Sequence, residues 1–439
     1  MNLHRSQSGS VLIGVLWCVV LLAVVVIGIL HTSRLDLTAG KFHTDRIQAH
    51  YLALAGVEKA KALLFQDSSE RSRSGVHHGP GLYNAPEVFR NVSLGRGRFH
   101  VLRSGSPEEG GRLVFGVSDE ESRLNLNVAG VNQLTNLIGL TADIAAAIVD
   151  WRDGDNAASP GGAEEDYYAS LRPPYLPRNA AFPTVRELLM VRGITQELLG
   201  DTSPPSPADP GSVDEGEADA MVNPGWSSLL TAHSGVEDVD ASGSTRVNLQ
   251  TADVTALTGI RGITQPVAQA IIAHRNRQRF ESLADLLEVR AGGQTTPGNQ
   301  NPNNPPTGPT LINEQLLKEI ADHLTIEERP TIEGAINVNT AGVEVLMCLP
   351  GVARPLAQAI VAQRQSNGAF PNVAALLEVP GMTRDLFKQL APLISVRSET
   401  FRILSEGQVG SRGTRQRIEV VVHIGRNTVS TLAYREDDL

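Results

Sequence analysis

Acidic side chains are concentrated in one stretch of the chain, DWRDGDNAASPGGAEEDYY, which begins at Asp150. The carboxylates within residues 150–166 are those of Asp150, Asp153, Asp155, Glu164, Glu165 and Asp166. Calcium takes about six to eight oxygen ligands, often from loops of this composition. The spacing is not that of an EF-hand. The stretch therefore predicts either an irregular calcium site or a solvated acidic loop that caps a helix end.

The remaining reactive side chains do not form a recognisable catalytic pattern. The 11 histidines are scattered, and no two are spaced i, i+4 as metal-binding pairs on a helix are. The sequence also lacks a nucleophile elbow, a phosphate-binding loop and a dinucleotide fingerprint. Glu164 and Glu165 could do acid–base work only if an apolar pocket raised one of their pKa values, and the loop offers none. We therefore expect a protein that is not an enzyme.

Length and composition indicate several modules. The chain has 439 residues, which suggests two to four domains as a prior. Its formal net charge of −10 argues against a nucleic-acid partner, although a local basic face remains possible. The two cysteines, Cys18 and Cys348, lie far apart in different contexts, so neither a disulfide framework nor a structural zinc site is expected.

The N-terminal segment is long and apolar enough to cross a membrane. From Ser10 to Leu30 about 21 residues carry no charge, which as a helix spans roughly 31 Å. A cleavable signal peptide has a shorter apolar core and a small-x-small cleavage site, which we do not see here. A helical period continues through residues 41–65, so we predict one helix of about 55 residues. Arg5 precedes the segment, which keeps that end in the cytoplasm and places the rest outside.

This opening resembles a type IV prepilin. In that family a short basic leader ends in glycine, and a cytoplasmic-side peptidase cuts directly after it. Gly9 matches that glycine, and Ser10 would be the new N-terminus. Most pilins carry glutamate at the fifth mature position, where this chain has Gly14. The K-type minor pseudopilins of type II secretion resemble this chain in lacking it. The alternative is an ordinary signal-anchor helix.

Strand patterns lie on both sides of a mainly helical region. RGRFHVLRSGS and GGRLVFGVSDEESRLNLN predict two strands, and TFRILSEGQV, QRIEVVVHI and VSTLAYRE predict three more near the C-terminus. Residues 67–83 are polar and predict a surface loop. We therefore predict an α+β fold: a long pilin-like N-terminal helix and a small antiparallel sheet, with an inserted helical domain.

The helical region contains three copies of one unit. They begin at Arg123, Arg246 and Ala335 and align without a gap over RLNLNVAGVNQLTNLIGLTADIAAAIVDWR and its counterparts. Each copy resembles a helix-hairpin-helix motif, in which a glycine forms the hairpin. Such motifs often bind DNA phosphates through hairpin amides and basic residues, and Arg261, Arg354 and Arg384 are the candidates here. The alternative, which we favour for this acidic chain, is that the repeats are packing modules.

The acidic loop and its flanks resemble the K-type minor pseudopilin family most specifically. The match runs from Leu124 to Gly193. The family pattern consists of an LNLN strand end, a DW.D.D helix end, a GGAE..YY loop and an F.(S/T)V.EL..V.G helix. Members of this family hold calcium in the helical domain. The resemblance therefore implies calcium bound by Asp153, Asp155, Glu164 and Glu165. The second and third repeats extend the chain beyond the usual family pattern.

The resemblance also implies a function and partners. We expect a tip subunit that primes a pseudopilus for export of folded proteins across the outer membrane. The implied partners are the I-type and J-type minor pseudopilins, the major pseudopilin, the prepilin peptidase, the inner-membrane secretion platform and the lipid bilayer. The implied location is the inner membrane, with the C-terminal domain in the periplasm. The alternative function is a membrane-anchored, competence-like protein that binds DNA through its repeats.

The predicted boundaries follow from these patterns. The acidic, Pro-rich segment near residue 201 and the Asn/Pro-rich segment near residue 291 predict linkers. The predicted parts are the leader 1–9, the transmembrane and stalk helix 10–66, the pseudopilin β part 67–122, the helical domain with the acidic loop 123–200, a linker 201–245, the second repeat 246–290, a linker 291–310, the third repeat 311–395 and the returning strands 396–439.

Overall fold

A computed structural model describes residues 8–77, 81–105, 109, 113–200, 225–291, 308–410 and 413–438. Its α-helices are α1 Ser8–Ser74, α2 Pro86–Phe89, α3 Val131–Leu134, α4 Ala142–Arg152, α5 Glu165–Ala169, α6 Gln196–Leu199, α7 Gly225–Leu229, α8 Val254–Thr258, α9 Gln265–Arg275, α10 Glu314–Ile320, α11 Val343–Leu346, α12 Arg354–Asn367 and α13 Arg384–Leu390. Short 3₁₀ helices occupy Val185–Met190, Leu283–Glu288, Ala321–His323, Val373–Glu378 and Ala391–Leu393.

The strands are mostly short within the helical insert and long in the sheet that flanks it. They are β1 Val92–Leu94, β2 Gly97–Ser104, β3 Leu113–Val114, β4 Ser118–Asp119, β5 Leu124–Asn125, β6 Leu230–Thr231, β7 Gly235–Glu237, β8 Val247–Asn248, β9 Leu324–Thr325, β10 Thr331–Glu333, β11 Ile336–Asn337, β12 Ile394–Ser395, β13 Thr400–Val409, β14 Arg415–Ile424 and β15 Val429–Asp438.

Helix α1 is longer than the sequence pattern predicts. It continues to Ser74, so the predicted loop at 67–83 is wrong over its first eight positions. Polar side chains one turn apart stabilise the extension: Gln66 donates to Glu70 at 2.8 Å, and Arg71 pairs with Asp67 at 2.9 Å. The apolar part of α1, residues 11–30, is exposed on every side. Within the described residues α1 is the one helix long and apolar enough to span a membrane.

The sheet behind α1 is antiparallel and runs in the order β1-β2-β13-β14-β15. The three long C-terminal strands are confirmed. The predicted strand GGRLVFGVSDEESRLNLN is instead divided into β3, β4 and β5, and β1 was not predicted. The division has a physical cause, because the chain leaves the sheet after β4 and residues 120–122 lead into the insert.

Glycines let α1 lie directly on the sheet. A Cβ at Gly407 in β13 would be 2.1 Å from the backbone oxygen of Ala49, and one at Gly56 in α1 would be 2.1 Å from Ser405 Oγ. Ala53 and other small residues of α1 are fully buried in this contact. Close approach of the two backbones therefore depends on missing side chains on both surfaces.

We expect Gly407→Ala to loosen this packing. The added methyl would overlap the α1 backbone at Ala49, and overpacking of this kind costs about 1–3 kcal/mol. Gly40→Ala is the control, because Gly40 lies in α1, the helix that Gly407 packs against, and a Cβ there meets open space. Urea denaturation of the full chain in detergent measures both. An equal free energy of unfolding for the two variants would contradict the close-packing interpretation.

The insert consists of three repeats, and each is closed by its own pair of parallel strands. The opening strand of each repeat pairs with its last strand: β5 with β6, β8 with β9 and β11 with β12. The segment 311–325, which we assigned to the third repeat, therefore completes the second repeat through α10 and β9. Strands β7 and β10 form a separate antiparallel pair.

The predicted linker 201–245 is wrong over residues 225–245. Trp226 in α7 is buried in the core, and β6 closes the first repeat. Residues 201–224 and 292–307 lie outside the described residues, and each interrupts a repeat rather than joining two repeats. The residues that flank each of these two segments lie close together. A Cβ on Gly225 would be 2.4 Å from the Cα of Gly200, and Ala291 N donates to Pro309 O at 2.9 Å.

Within the described residues the first and third repeats each contain two hairpins, of which the sequence pattern indicated one. In the third repeat the predicted hairpin glycine Gly351 and a second glycine, Gly381, both have positive φ, at 73° and 92°. A Cβ at Gly351 would lie 2.8 Å from Leu386 of α13, and one at Gly381 would lie 3.7 Å from Leu356 of α12. The first hairpin thus packs on α13, the helix that follows the second hairpin, and the second hairpin packs on α12, the helix that follows the first. The recurring letters VRGIT and VPGMT could have indicated this second hairpin.

Candidate metal centre and repeat surfaces

The acidic loop is positioned by the end of α4 and the start of α5. Helix α4 carries Asp150 in its last turn and ends at Asp153, its C-cap, while Glu164 is the N-cap of α5. Two glycines bring the loop back over α4. A Cβ at Gly162 would be 1.8 Å from Asp150 Oδ2, and Gly161 has φ of 80°.

Three carboxylates converge at this point. One oxygen from each of Asp150, Asp153 and Glu164 lies within 4.8 Å of the other two. Asp150 and Glu164 are buried, with 0% and 4% of their surface exposed. One oxygen each of Asp150 and Asp153 and both oxygens of Glu164 are buried without a hydrogen-bond partner. Buried oxygens of this kind are costly unless a donor or a cation satisfies them.

The charges in the cluster repel one another in the absence of a cation. Burial, followed by the neighbouring charges of Asp150, Asp153 and Asp155, raises the pKa of Glu164 to about 7. Burial and the charge of Asp155 also raise the pKa of Asp153. A divalent cation would remove this repulsion and supply the missing partner for each oxygen. The donor set, made of hard carboxylate oxygens, therefore fits calcium.

The predicted ligands divide into two groups. Asp153 and Glu164 belong to the cluster, whereas Asp155 and Glu165 lie outside it. Asp155 Oδ1 accepts the amide of Ala157 at 2.8 Å, and Glu165 Oε2 accepts Asn156 Nδ2 at 3.4 Å. Asp150 was not among the predicted ligands. Its position three residues before Asp153, on the same face of α4, was the available signal.

Aromatic side chains pack against one another beneath the acidic loop. Trp151 makes an edge contact with Tyr168, with ring centroids 5.0 Å apart, and Tyr175 packs against both rings. Trp151 Nε1 donates to Glu187 at 3.0 Å, and Arg178 also binds Glu187. These contacts fix the direction in which α4 presents Asp150, so this carboxylate is held on a rigid element.

The arginines at the end of the second helix of each repeat have a structural role. Arg152, Arg275 and Arg364 occupy the same position in the three copies. Their guanidinium groups donate to backbone carbonyls near the start of the repeat, at Ala129, at Leu249 and Ala252, and at Val338. Each arginine thus ties the second helix to the turn that precedes the first.

The arginines predicted as alternative DNA contacts lie on the surface of the repeats. Arg354 pairs with Glu344 at 2.8 Å, and Arg384 pairs with Glu314 at 2.7 Å. Arg261 is exposed in the first hairpin of the second repeat. Carboxylates beside Arg354 and Arg384 reduce the positive potential that phosphate binding requires.

The second and third repeats pair with one another through equivalent residues. Alignment of α10 with α13 places Lys318 and Lys388 at the same position, and the preceding 3₁₀ helices place Glu288 and Glu378 likewise. Lys318 pairs with Glu378, and Lys388 pairs with Glu288 at 3.1 Å. The two repeats are therefore related by an approximate two-fold axis at this contact, because each supplies the same lysine to the same glutamate of the other. This supports the interpretation of the repeats as packing modules.

The sequence SDEES at residues 118–122 forms a buried joint between the sheet and the insert. Asp119, Glu120 and Glu121 are all less than 5% exposed. Glu120 forms a two-pronged ion pair with Arg402 of β13, at 3.0 and 2.9 Å, and accepts the hydroxyl of Thr231 from β6 at 2.5 Å. Sequence reasoning missed this joint, because a run of acids usually indicates a solvated surface.

The predicted processing site lies at the beginning of α1. Gly9 and Ser10 follow the first helical residue, Ser8, and the leader residues 1–7 lie outside the described part of the chain. A long, exposed apolar helix that continues onto an antiparallel sheet, with a helical insert between strands, is a pilin-like α+β fold, and its apolar segment fits a single-pass membrane anchor.

The comparisons with known proteins agree with this class. Residues 113–204 match the family model for protein K of the type II secretion system, and residues 242–296 and 332–395 match the helix-hairpin-helix motif. Type II secretion system protein K of Pectobacterium carotovorum subsp. carotovorum is 27% identical over 218 residues, which cover 45% of this chain and 61% of that protein. In this region the chain is similar to protein K of the type II secretion system.

Two further proteins are similar to this chain. Endonuclease/exonuclease/phosphatase family domain-containing protein 1 of Mus musculus is 27% identical over 146 residues, or 31% of this chain and 26% of that protein. The crystal structure of the GspK-GspI-GspJ complex from the type 2 secretion system of enterotoxigenic Escherichia coli covers 90% of this chain and all of the matched chain, at 16% identity and a TM-score of 0.45. The chain spans about three fifths of the length of the curated protein K relatives, 61% in the case above.

Proposed function

We propose that this chain is the tip subunit of a type II secretion pseudopilus and primes its assembly for export of folded proteins. Its role is structural rather than catalytic. The proposed partners are the I-type and J-type minor pseudopilins, which would form the tip with it, and the major pseudopilin below. The prepilin peptidase and the inner-membrane secretion platform would act on it before assembly.

The position of the insert carries this proposal. His77, which follows the C-terminal end of α1, is buried and contacts Asp322 of the second repeat. Arg246 of the same repeat also binds Asp322, at 3.1 Å. The insert therefore lies at the end of α1 farthest from the apolar segment. A filament grows by stacking such helices, so a bulky insert at this end would obstruct a further subunit above.

The apolar segment supports the same conclusion. No acidic residue occurs from Ser10 to Leu30, and Gly14 occupies the position at which most pilins carry glutamate. A carboxylate in lipid is costly and is retained for a partner, which in a filament would be the N-terminal amine of the neighbouring subunit. A subunit with no neighbour above it does not need one. The preceding Arg5 supports a periplasmic location for the folded part.

Calcium at Asp150, Asp153 and Glu164 would stabilise the helical domain. When bound, the ion would neutralise the three carboxylates and link α4 to the start of α5. The chain's own residues supply the rigid wall behind this link, through Trp151 and Tyr168. The site belongs to the structural support of the first repeat.

Processing after Gly9 is the first expectation to test. We expect the membrane-extracted chain to lose Met1–Gly9 only when the prepilin peptidase is present, as measured by intact mass spectrometry. Gly9→Val is expected to block cleavage and secretion of the system's substrates. Gly28→Val is the matched control, because Gly28 lies in the same helix with open space around it.

Other masses would contradict the proposal in distinguishable ways. An uncut chain in both strains would indicate a plain anchor. A salt-dependent gel shift with duplex DNA would then test the repeats as a DNA-binding module. A cut beyond Leu30 would indicate a secreted protein and would exclude the tip-subunit mechanism.

A further inference from the structure

One carboxyl group joins the insert to the sheet. Glu121 Oε1 accepts the backbone N–H of Gly235, the first residue of β7 in the insert, at 3.0 Å. Its Oε2 accepts the N–H of Thr400, the first residue of β13 in the sheet, at 3.1 Å. Glu121 is 0% exposed. Its backbone oxygen also accepts the N–H of Asn337, at 2.8 Å, from the third repeat.

A second buried carboxyl lies beside it and receives more donors. Asp119 Oδ1 accepts the backbone N–H of Glu121 at 2.8 Å. Its Oδ2 accepts Ser398 Oγ at 2.5 Å, Asn337 Nδ2 at 3.3 Å and the hydroxyl of Thr340. Because hydrogen bonds to a carboxylate favour its charged form, Asp119 is the better acceptor of the single negative charge that the pair can hold.

The neighbouring arginines pair with Glu120 rather than with this carboxyl pair. In the described part of the chain, Arg402 and Arg123 form ion pairs with Glu120, and neither Asp119 nor Glu121 forms one. Tyr83 faces the same region with a buried hydroxyl. Burial raises the pKa of both carboxyls, and the charge of Asp119 raises the pKa of Glu121 further.

We propose that Asp119 and Glu121 share one proton, and that loss of this proton opens the joint between the sheet and the insert. Glu121 carries the proton and donates to Asp119 while accepting the two backbone N–H groups. Above the pKa of the pair, two negative charges would face each other in a buried space. A raised folded-state pKa contributes stability at low pH, and this contribution is lost as the pH rises.

Hydrogen exchange of the full chain in lipid nanodiscs tests this proposal. The protection factors of the Gly235 and Thr400 amides are measured from pH 6 to pH 9 and corrected for intrinsic exchange. We expect protection to fall about tenfold per pH unit above the pKa of the pair, since one proton is linked to opening. In Glu121→Gln the side-chain amide donates to Asp119 at every pH, so the decrease should disappear. The amide nitrogen cannot accept a hydrogen bond, so one of the two backbone N–H groups loses its acceptor and its protection should be lower at every pH.

Two comparisons make the test decisive. Glu87→Gln, an exposed carboxylate on α2, should retain the wild-type decrease. Protection that does not change with pH in the wild type, or a decrease that persists in Glu121→Gln, would overturn the proposal. If Glu121→Gln does not fold, infrared titration of Glu164→Gln decides, because that variant removes the other carboxyl whose pKa is raised to about 7. A protonated carboxyl band that is lost over the same pH range supports the shared proton, and its absence at neutral pH excludes it.

Discussion

Replacing Arg402 with alanine is expected to lower the free energy of unfolding by about 3–5 kcal/mol, because it leaves the Glu120 carboxylate buried without its partner. Glu120 is 0% exposed and accepts hydrogen bonds from two nitrogens of Arg402, Nε and Nη2. Burial alone would raise the pKa of Glu120, but Arg402 and Arg123 outweigh burial and lower it. Urea denaturation of the detergent-solubilised chain, followed by tryptophan fluorescence, measures the loss.

The pH dependence and a surface control distinguish this effect from a general loss of charge. A lowered folded-state pKa contributes stability above the unfolded-state pKa, so the contribution of Glu120 should be lost as the pH falls below about 4.5. Arg354→Ala is the control, because its partner Glu344 lies at the surface and such pairs contribute at most about 1 kcal/mol. Equal losses for the two variants would show that the buried joint does not hold the insert to the sheet.

Calcium is expected to raise the stability of the helical insert by several kcal/mol. At a free concentration 1,000 times the dissociation constant, a ligand that binds only the folded state adds about 4 kcal/mol. We expect a higher melting temperature with calcium than with a chelator, and no such increase in Asp150→Asn. Differential scanning fluorimetry of the full chain, with isothermal titration of calcium, measures both quantities.

The two groups of acidic residues give this experiment its matched control. Glu165→Gln, outside the cluster, should keep the calcium response, whereas Glu164→Gln should lose it. Binding should weaken as the pH falls through about 7, since Glu164 must be deprotonated to bind the ion and its pKa lies there. Loss of the response in Glu165→Gln with retention in Asp150→Asn would favour the ligands predicted from the sequence over the cluster.

The elements with strong local signals could be predicted from the sequence. The apolar run that begins at Ser10, the three C-terminal strands and the glycine hairpins of the repeats all have a clear period or turn residue. The repeats were detectable because three copies agree in register. The end of α1 was not, because its last two turns depend on side-chain pairs such as Asp67 with Arg71 rather than on an apolar period.

The candidate site and the joint required contacts between distant residues. Asp153 and Glu164 could be nominated from composition, but only the return of the loop over α4 at Gly162 selects Asp150 instead of Glu165. The joint at Asp119–Glu121 binds residues more than a hundred positions away in the chain, including Thr231 and Arg402. No local pattern distinguishes these buried acids from exposed ones.

Gly200 and Gly225 lie close together in space, so the segment between them is a suitable place to insert a domain. The first repeat is completed by residues on both sides of the interruption, and its core does not require any given length between them. The entropy cost of closing a loop rises only slowly with its length. A fluorescent domain or an affinity tag placed here would report on the folded subunit from within the chain and leave both termini untouched. Changes of segment length during evolution would meet the same weak constraint.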